Sequence, residues 1–257
     1  MVDSILLQEM TRQEASAIAP EALVILPVGA TEQHGPHLPT GTDFFIVEYI
    51  ARTAAAEIAG QYTPVVTPTL PFGSSHHHLP FGATMSISTT TCYALYTDLI
   101  ESLIQGGFRQ FFILNGHGGN DDIIRLVARD VALKHPVKIG AASYWTIAWD
   151  SLIAEEAHLA GALPGHAGVF ETSIMLALHA ALVPGTRPER KTVETADPRS
   201  YYPAYKTEQH GFWQSFDGFT DSPASAEAGR GERYLRSIVS DVVNALVRFI
   251  ETGTTFT

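Results

Sequence analysis

The chain has 257 residues and only one cysteine, Cys92. A disulfide framework within the chain is thereby excluded. Cys92 lies in an apolar, helix-like pattern and is expected in the core rather than as a nucleophile. Charge is also scarce: charged residues make up 17%, with 16 Lys and Arg against 27 Asp and Glu, for a formal net charge of −11. With no basic cluster and this excess of acid, nucleic acid and anionic membrane are poor partners. No apolar run approaches the roughly 18 residues of a membrane span. The first ten residues lack the basic and apolar regions of a signal peptide. These absences leave a cytoplasmic protein as the expectation. Internal repeats and linkers are absent too, so residues 1–257 are expected to form a single domain.

What is present is an alternation of strand-like and helix-like segments. Strands are predicted at Leu23–Val28, Thr63–Leu70, Arg109–Leu114 and Val137–Tyr144. Helices are predicted at Asp43–Ile58, Thr90–Gln105, Asn120–Lys134, Val169–Leu182 and Gly231–Thr252, from apolar residues at three- and four-residue steps. For Thr90–Gln105 the expected apolar stripe is Cys92, Leu95, Leu99 and Leu103. Such alternation implies an α/β fold, a three-layer α/β/α sandwich with a mostly parallel central sheet. Residues 184–227 are irregular, polar and aromatic, which suits a functional segment better than filler.

Chemistry-bearing residues concentrate in four places. The stretch Leu26–Asp43 holds three glycines, three prolines and the metal-ligand types Glu32, His34, His37 and Asp43. So much Gly and Pro makes a stiff loop after the first strand, where open α/β sheets place their sites. Carboxylate and imidazole without thiolate suit Zn, Mn or Fe; a solvated surface turn is the competing interpretation. The second place is Pro71–Thr84, with consecutive His76, His77 and His78, which point in different directions and suit substrate contact or hydrogen bonding better than one shared ion. The third is Leu114-Asn-Gly-His-Gly-Gly-Asn120, where Gly116, Gly118 and Gly119 leave room for a ligand beside His117, and Asn120 and Asp121 are good helix caps. In the fourth, Gly165–Glu171, His166 precedes a helix and Glu171 lies in its first turn, where a carboxylate also suits the helix dipole.

These four segments, in this order, resemble the creatininase (creatinine amidohydrolase) family of metal-dependent hydrolases. The matching pieces are Pro27–Pro39, Asp43, the Gly73…His77…Phe81-Gly82…Thr84 loop, Asn115–Asn120 and Gly165–Ser173, with a weaker match at Gly218–Gly229. The resemblance implies two divalent ions per chain (Zn, Mn or Fe), with Glu32, Asp43 and His117 around one, His34 and Asp43 around the other, and Asp43 bridging. It implies attack by metal-bound hydroxide on the carbonyl of a small cyclic or formyl amide, with His166 carrying the proton to the leaving nitrogen. Contacts to substrate are expected from Trp145, His77, Gly118 and Gly119, and the assembly is expected to be a homo-oligomer such as a hexamer.

Two departures from creatininase proper stand out. A glutamate of that enzyme, two residues after the equivalent of His117, is Gly119 here, which makes Glu171 the candidate further ligand. Of the two tryptophans that sandwich creatinine, Trp145 corresponds to one, but Ala162 stands at the other position. Creatinine is therefore expected to be a poor substrate unless Trp213 or a tyrosine of the 200–205 segment fills the gap. Other readings of the site are a peptidase of a small modified peptide, a hydrolase that opens a cyclic ketone, and a metal-binding protein without catalysis.

Overall fold

The computed structural model describes residues 4–190 and 209–252. Four parallel strands form one sheet in the order β2-β1-β3-β4: β1 is Leu23–Val28, β2 Pro64–Val66, β3 Gln110–Asn115 and β4 Lys138–Ser143. The helices in chain order are α1 Arg12–Ile18, α2 Thr42–Ile58, α3 Thr89–Gln105, α4 Asp121–Lys134, α5 Tyr144–Ile147, α6 Trp149–Ala154, α7 Ala157–Ala160, α8 Val169–His179 and α9 Ala228–Glu251. Successive side chains of a strand point to opposite faces, and β1 divides accordingly. Leu23 and Ile25 join a core with α2, α8 and α9. Val24, Leu26 and Val28 join a second core with α3 and α4. Both faces are covered, giving the expected α/β/α sandwich with an all-parallel sheet.

The second predicted strand shrinks to three residues, because Pro68 and Pro71 interrupt the ladder; only Leu70 still bridges to Val28. In α3 the buried stripe is Cys92, Tyr96, Ile100 and Ile104, while Leu95, Leu99 and Leu103 are partly exposed. A stripe stepping by four residues drifts slowly around the helix, so the sequence pattern missed it by one position. Cys92 is buried, as expected. The capped helix α1 and the short helices α5–α7 were not anticipated; α1 is set by a capping box between Thr11 and Glu14. Asn120 precedes α4, but its side chain does not cap it. Its amide instead accepts from Ser74 N–H and donates to Gly29 O, tying three loops together. No helix among the described residues is long and apolar enough to cross a membrane.

Strand order reverses between β1 and β3, and ligands of open α/β sheets bind at such a switch point, beyond the carboxyl ends of the strands. The loops after β1 and β3 carry Glu32, His34 and His117 to that point.

Candidate metal centre

The β1 loop is built from backbone hydrogen bonds to its neighbours. Gly29 N–H bonds Leu70 O and Glu32 N–H bonds Thr40 O, each at 2.9 Å. Glu32, His34 and Asp43 are thereby buried together, with Asp43 in the first turn of α2, where the helix dipole favours a carboxylate. His117 Nδ1 lies 3.1 Å from Asp43 Oδ2 and 3.3 Å from Glu32 Oε1. His34 Nε2 lies 3.0 Å from Asp43 Oδ1 and 3.9 Å from Glu171 Oε2. Among the described residues four ligand-type groups result: Glu32–His34–His166, Glu32–His77–His78, and the two that share Asp43, Glu32–Asp43–His117 and His34–Asp43–Glu171.

The far nitrogen of each imidazole is spent elsewhere. His34 Nδ1 donates to Glu32 O at 3.1 Å, and His117 Nε2 lies 3.1 Å from both Ser74 O and Ser75 Oγ. Each ring thus presents an unprotonated nitrogen to the carboxylates when neutral, the arrangement that orients metal-ligating histidines. Glu32 Oε2 and Asp43 Oδ2 are buried and accept no hydrogen bond of good geometry. Buried orphan carboxylate oxygens are costly without a cation.

Protonation tells the same story. Burial opposes ionising Glu32, yet His117, His78 and His34 outweigh it and hold the carboxyl below its usual range. Burial likewise opposes protonating His34, but Asp43, Glu171 and Glu32 push it up to about 10. His117 is raised against its burial by Glu32 and Asp43. Glu171 is pushed up to about 8 by burial, against the pull of His34. Three carboxylates in one buried spot draw protons onto the imidazoles. Divalent ions supply that positive charge instead, so the residues fit the metals.

A cavity of about 560 Å³ opens over these groups. Trp145, His77, Gly118 and Gly119 line it, as does His166. Gly119 is obligatory here: a Cβ would sit 2.1 Å from Ser74 O and 2.5 Å from His117 Nε2, so no glutamate fits this backbone. Trp213 lines the cavity as well, with its ring centroid 5.5, 4.9 and 5.4 Å from those of His77, His78 and His166. Tyr201, Tyr202 and Tyr205, the tyrosines of the 200–205 segment, lie outside the described residues. His37, grouped with the ligand types in the sequence, is turned away; its Nε2 meets Thr172 Oγ1 at 2.9 Å.

One site residue escaped the sequence reading, and another was placed there only as one of three histidines suited to substrate contact or hydrogen bonding. His78 is buried with Nε2 3.6 Å from Glu32 Oε1, and Gln33 organises the histidines around it. Gln33 Nε2 is 3.0 Å from His78 Nδ1, 3.0 Å from His166 Nε2 and 2.9 Å from Gly218 O. His166 Nε2 also lies 3.0 Å from Gln33 O, which can only accept. Because that carbonyl only accepts, His166 donates Nε2–H to it, and the two amide hydrogens of Gln33 go to His78 Nδ1 and Gly218 O; the approach of Gln33 Nε2 to His166 Nε2 is then a contact between two donors, not a hydrogen bond. His166 therefore turns an unprotonated Nδ1 toward Glu32 Oε1, 3.6 Å away. Its place between Glu32 and His34 in a proline-stiffened loop was the only sequence signal for Gln33.

The Creatininase family model, creatinine amidohydrolase, matches residues 8–246. The chain belongs to the creatininase family. It is 28% identical to the creatinine amidohydrolase of Pseudomonas putida over 265 residues, covering 96% of this chain and 97% of that one. It is 30% identical over 233 residues to the mycofactocin precursor peptide peptidase of Mycobacterium tuberculosis, covering 88% of this chain and 85% of that one. Among solved structures, a manganese form of creatininase superposes with a TM-score of 0.75 at 28% identity, covering 97% of this chain and all 100% of that one. A zinc–zinc form of a creatininase mutant matches equally well, with a TM-score of 0.75. Membership makes this creatininase-family protein a hydrolase of C–N bonds that works with divalent metal.

Proposed function

We propose that this chain hydrolyses the C–N bond of a small amide, cyclic or formyl, at a two-ion centre. The observation that carries the reading is the pair of buried ligand groups sharing Asp43 at the floor of the cavity. Glu32, Asp43 and His117 would hold one ion, and His34, Asp43 and Glu171 the other. Ions held there supply Lewis-acid polarisation of a carbonyl and acidify water.

The protein's own groups do the rest. His166, neutral because burial and then His34 and His78 hold its pKa well below the usual range, takes a proton at Nδ1 and returns it to the leaving nitrogen. Its Nε2–H bond to Gln33 O fixes the tautomer through both transfers. Trp145 and Trp213 flank the substrate with aromatic surface. Gly118 and Gly119 keep the approach to His117 free of side chains, and His77 touches the substrate beside Trp213.

No Lys or Arg is among the described lining residues, whereas Asp121 and Asp122 are. That balance supports a neutral or cationic substrate over a phosphorylated one. Trp213 lines the cavity with Trp145 although position 162 is alanine, so a second aromatic face is supplied from another part of the chain and creatinine belongs among the amides to be screened. A second reading is supported by the 30% identity to a peptide peptidase and by the exposed Leu79 and Phe212 close in sequence to the lining residues His78 and Trp213: cleavage of a small modified peptide. The chain is further read as one domain, acting in the cytoplasm as a homo-oligomer.

Protein loaded with Mn²⁺ or Zn²⁺ and screened against small cyclic and formyl amides for ammonia, amine or formate release decides the substrate class. Turnover of such an amide supports the leading reading, and cleavage of short peptides alone supports the second. A creatinine kcat/KM of about 10⁴ M⁻¹s⁻¹ or more, within the ordinary enzyme range, would show that Trp213 takes the place left by Ala162, and a much lower one that it does not.

A further inference from the structure

The segment Gly218–Asp221, just before α9, holds the loop that bears His166 and leads into α8. Thr220 N–H donates to His166 O at 2.9 Å, and Thr220 Oγ1 accepts His166 N–H at 3.0 Å. Next to it Asp221 is buried, 2% exposed. Its Oδ1 accepts Val169 N–H at 2.7 Å, and its Oδ2 accepts Ala162 N–H at 3.0 Å and the Thr220 hydroxyl at 3.1 Å.

Val169 is the first residue of α8, and the cap position, Gly168, offers no side chain. The first turn of a helix leaves backbone N–H groups without partners. Asp221 meets one of them from 52 residues away. Close approach is required: a Cβ on Gly168 would lie 2.1 Å from Asp221 Oδ2. The first and third residues of this helix are Val169 and Glu171, and Glu171 Oε2 in turn accepts Ala167 N–H at 2.6 Å. The carboxylate that faces His34 is therefore aimed by a turn whose two ends, Ala162 and Val169, are both held by Asp221.

We propose that Asp221 is a positioning residue for the second ion: by gripping Ala162 and Val169 it sets Glu171 against His34 and Asp43, while the neighbouring Thr220 sets His166. The proposal rests on the two-ion reading above. It is selective, because Glu32 and His117 come from the β1 and β3 loops, which Asp221 does not touch in any hydrogen bond described here. Loss of the grip weakens one ion and spares the other.

The test is calorimetric titration of metal-stripped protein with Mn²⁺, comparing wild type, Asp221→Asn, Gly168→Ala and a control on the same segment, Ser225→Ala, with circular dichroism to verify folding. Asp221→Asn keeps the shape but turns a donor toward one of the N–H groups it should accept. Gly168→Ala displaces the carboxylate from the other side. Both variants are expected to bind one ion with wild-type affinity and the other about 10–100-fold more weakly, the usual effect of losing a partner behind a metal ligand. Ser225→Ala should match wild type. Two ions at wild-type affinity in a folded Asp221→Asn, or equal weakening of both, overturns the proposal. Should Asp221→Asn fail to fold, the same criteria apply to Gly168→Ala. A wild type that takes up fewer than two ions contradicts the two-ion reading, and the proposal with it.

Discussion

The loop after β1 and the segment before α9 both reach the metal centre, but they are held there by different means. The first follows a central strand directly and is laced by backbone bonds to Leu70 and Thr40, with Gly116 N–H bonding Val28 O beside it at 2.8 Å. Glu32, Asp43 and His117 inherit their positions from the parallel sheet. The second contains no strand. It fixes the His166 loop and the start of α8 through a threonine and a buried aspartate. One half of the site is as stable as the sheet; the other depends on a few tertiary hydrogen bonds. Local stability varies in this way across proteins, and catalytic elements are often drawn from its lower end.

Removing metal should have the largest effect. Chelation should abolish hydrolysis of whichever amide the screen identifies, and Mn²⁺ or Zn²⁺ should restore it. Next in size is the proton carrier, which belongs to the less anchored half. His166→Ala should keep both ions and lower kcat by about 10²–10⁴-fold; loss of an ion in that variant would make His166 a ligand. A smaller effect is expected at the cavity wall. Trp213→Ala should raise KM roughly tenfold with kcat little changed, since an aromatic contact of about 1.4 kcal/mol corresponds to one decade. A fall in kcat at constant KM would place Trp213 outside the substrate contacts.

The smallest effect concerns stability at His37, behind the site. Burial, followed by His34 and Arg187, lowers its pKa from 6.5 to about 4. The unfolded chain therefore binds a proton that the folded one refuses, and this contribution to stability is present above about pH 6.5 and lost as pH falls toward 4. The urea midpoint should drop over that window, and more steeply in wild type than in His37→Gln. Equal slopes would show that His37 does not titrate as its burial implies.

The sheet and the better anchored half of the site were legible in the sequence, because strands, stiff loops and ligand types fall close together along the chain. Composition marked Glu32, His34 and Asp43, but together with His37, which turns away, and His117 gained a ligand role only through the family resemblance. Leu23–Val28 follows from local composition. The buried face of α4, Ile123, Ile124, Val127 and Val131, was legible for the same reason. Glu171 was ambiguous between cap and ligand, and its carboxylate indeed bonds a backbone N–H while facing His34. Gln33 and Asp221 were not legible, and His78 only as one of three histidines, since each acts through contacts with residues distant in sequence, and a lone buried aspartate carries no local pattern. The short helices between Tyr144 and Ala160 were missed because four to six residues are too few to show a periodicity.

The central claim is that two ions share Asp43 while only one depends on Glu171. Elemental analysis of Asp43→Ala and Glu171→Gln, purified from Mn²⁺-supplemented medium beside wild type, tests it most directly. The account predicts two ions per chain in wild type, none in Asp43→Ala and one in Glu171→Gln. Full occupancy in Asp43→Ala, or the same loss in both variants, would contradict it.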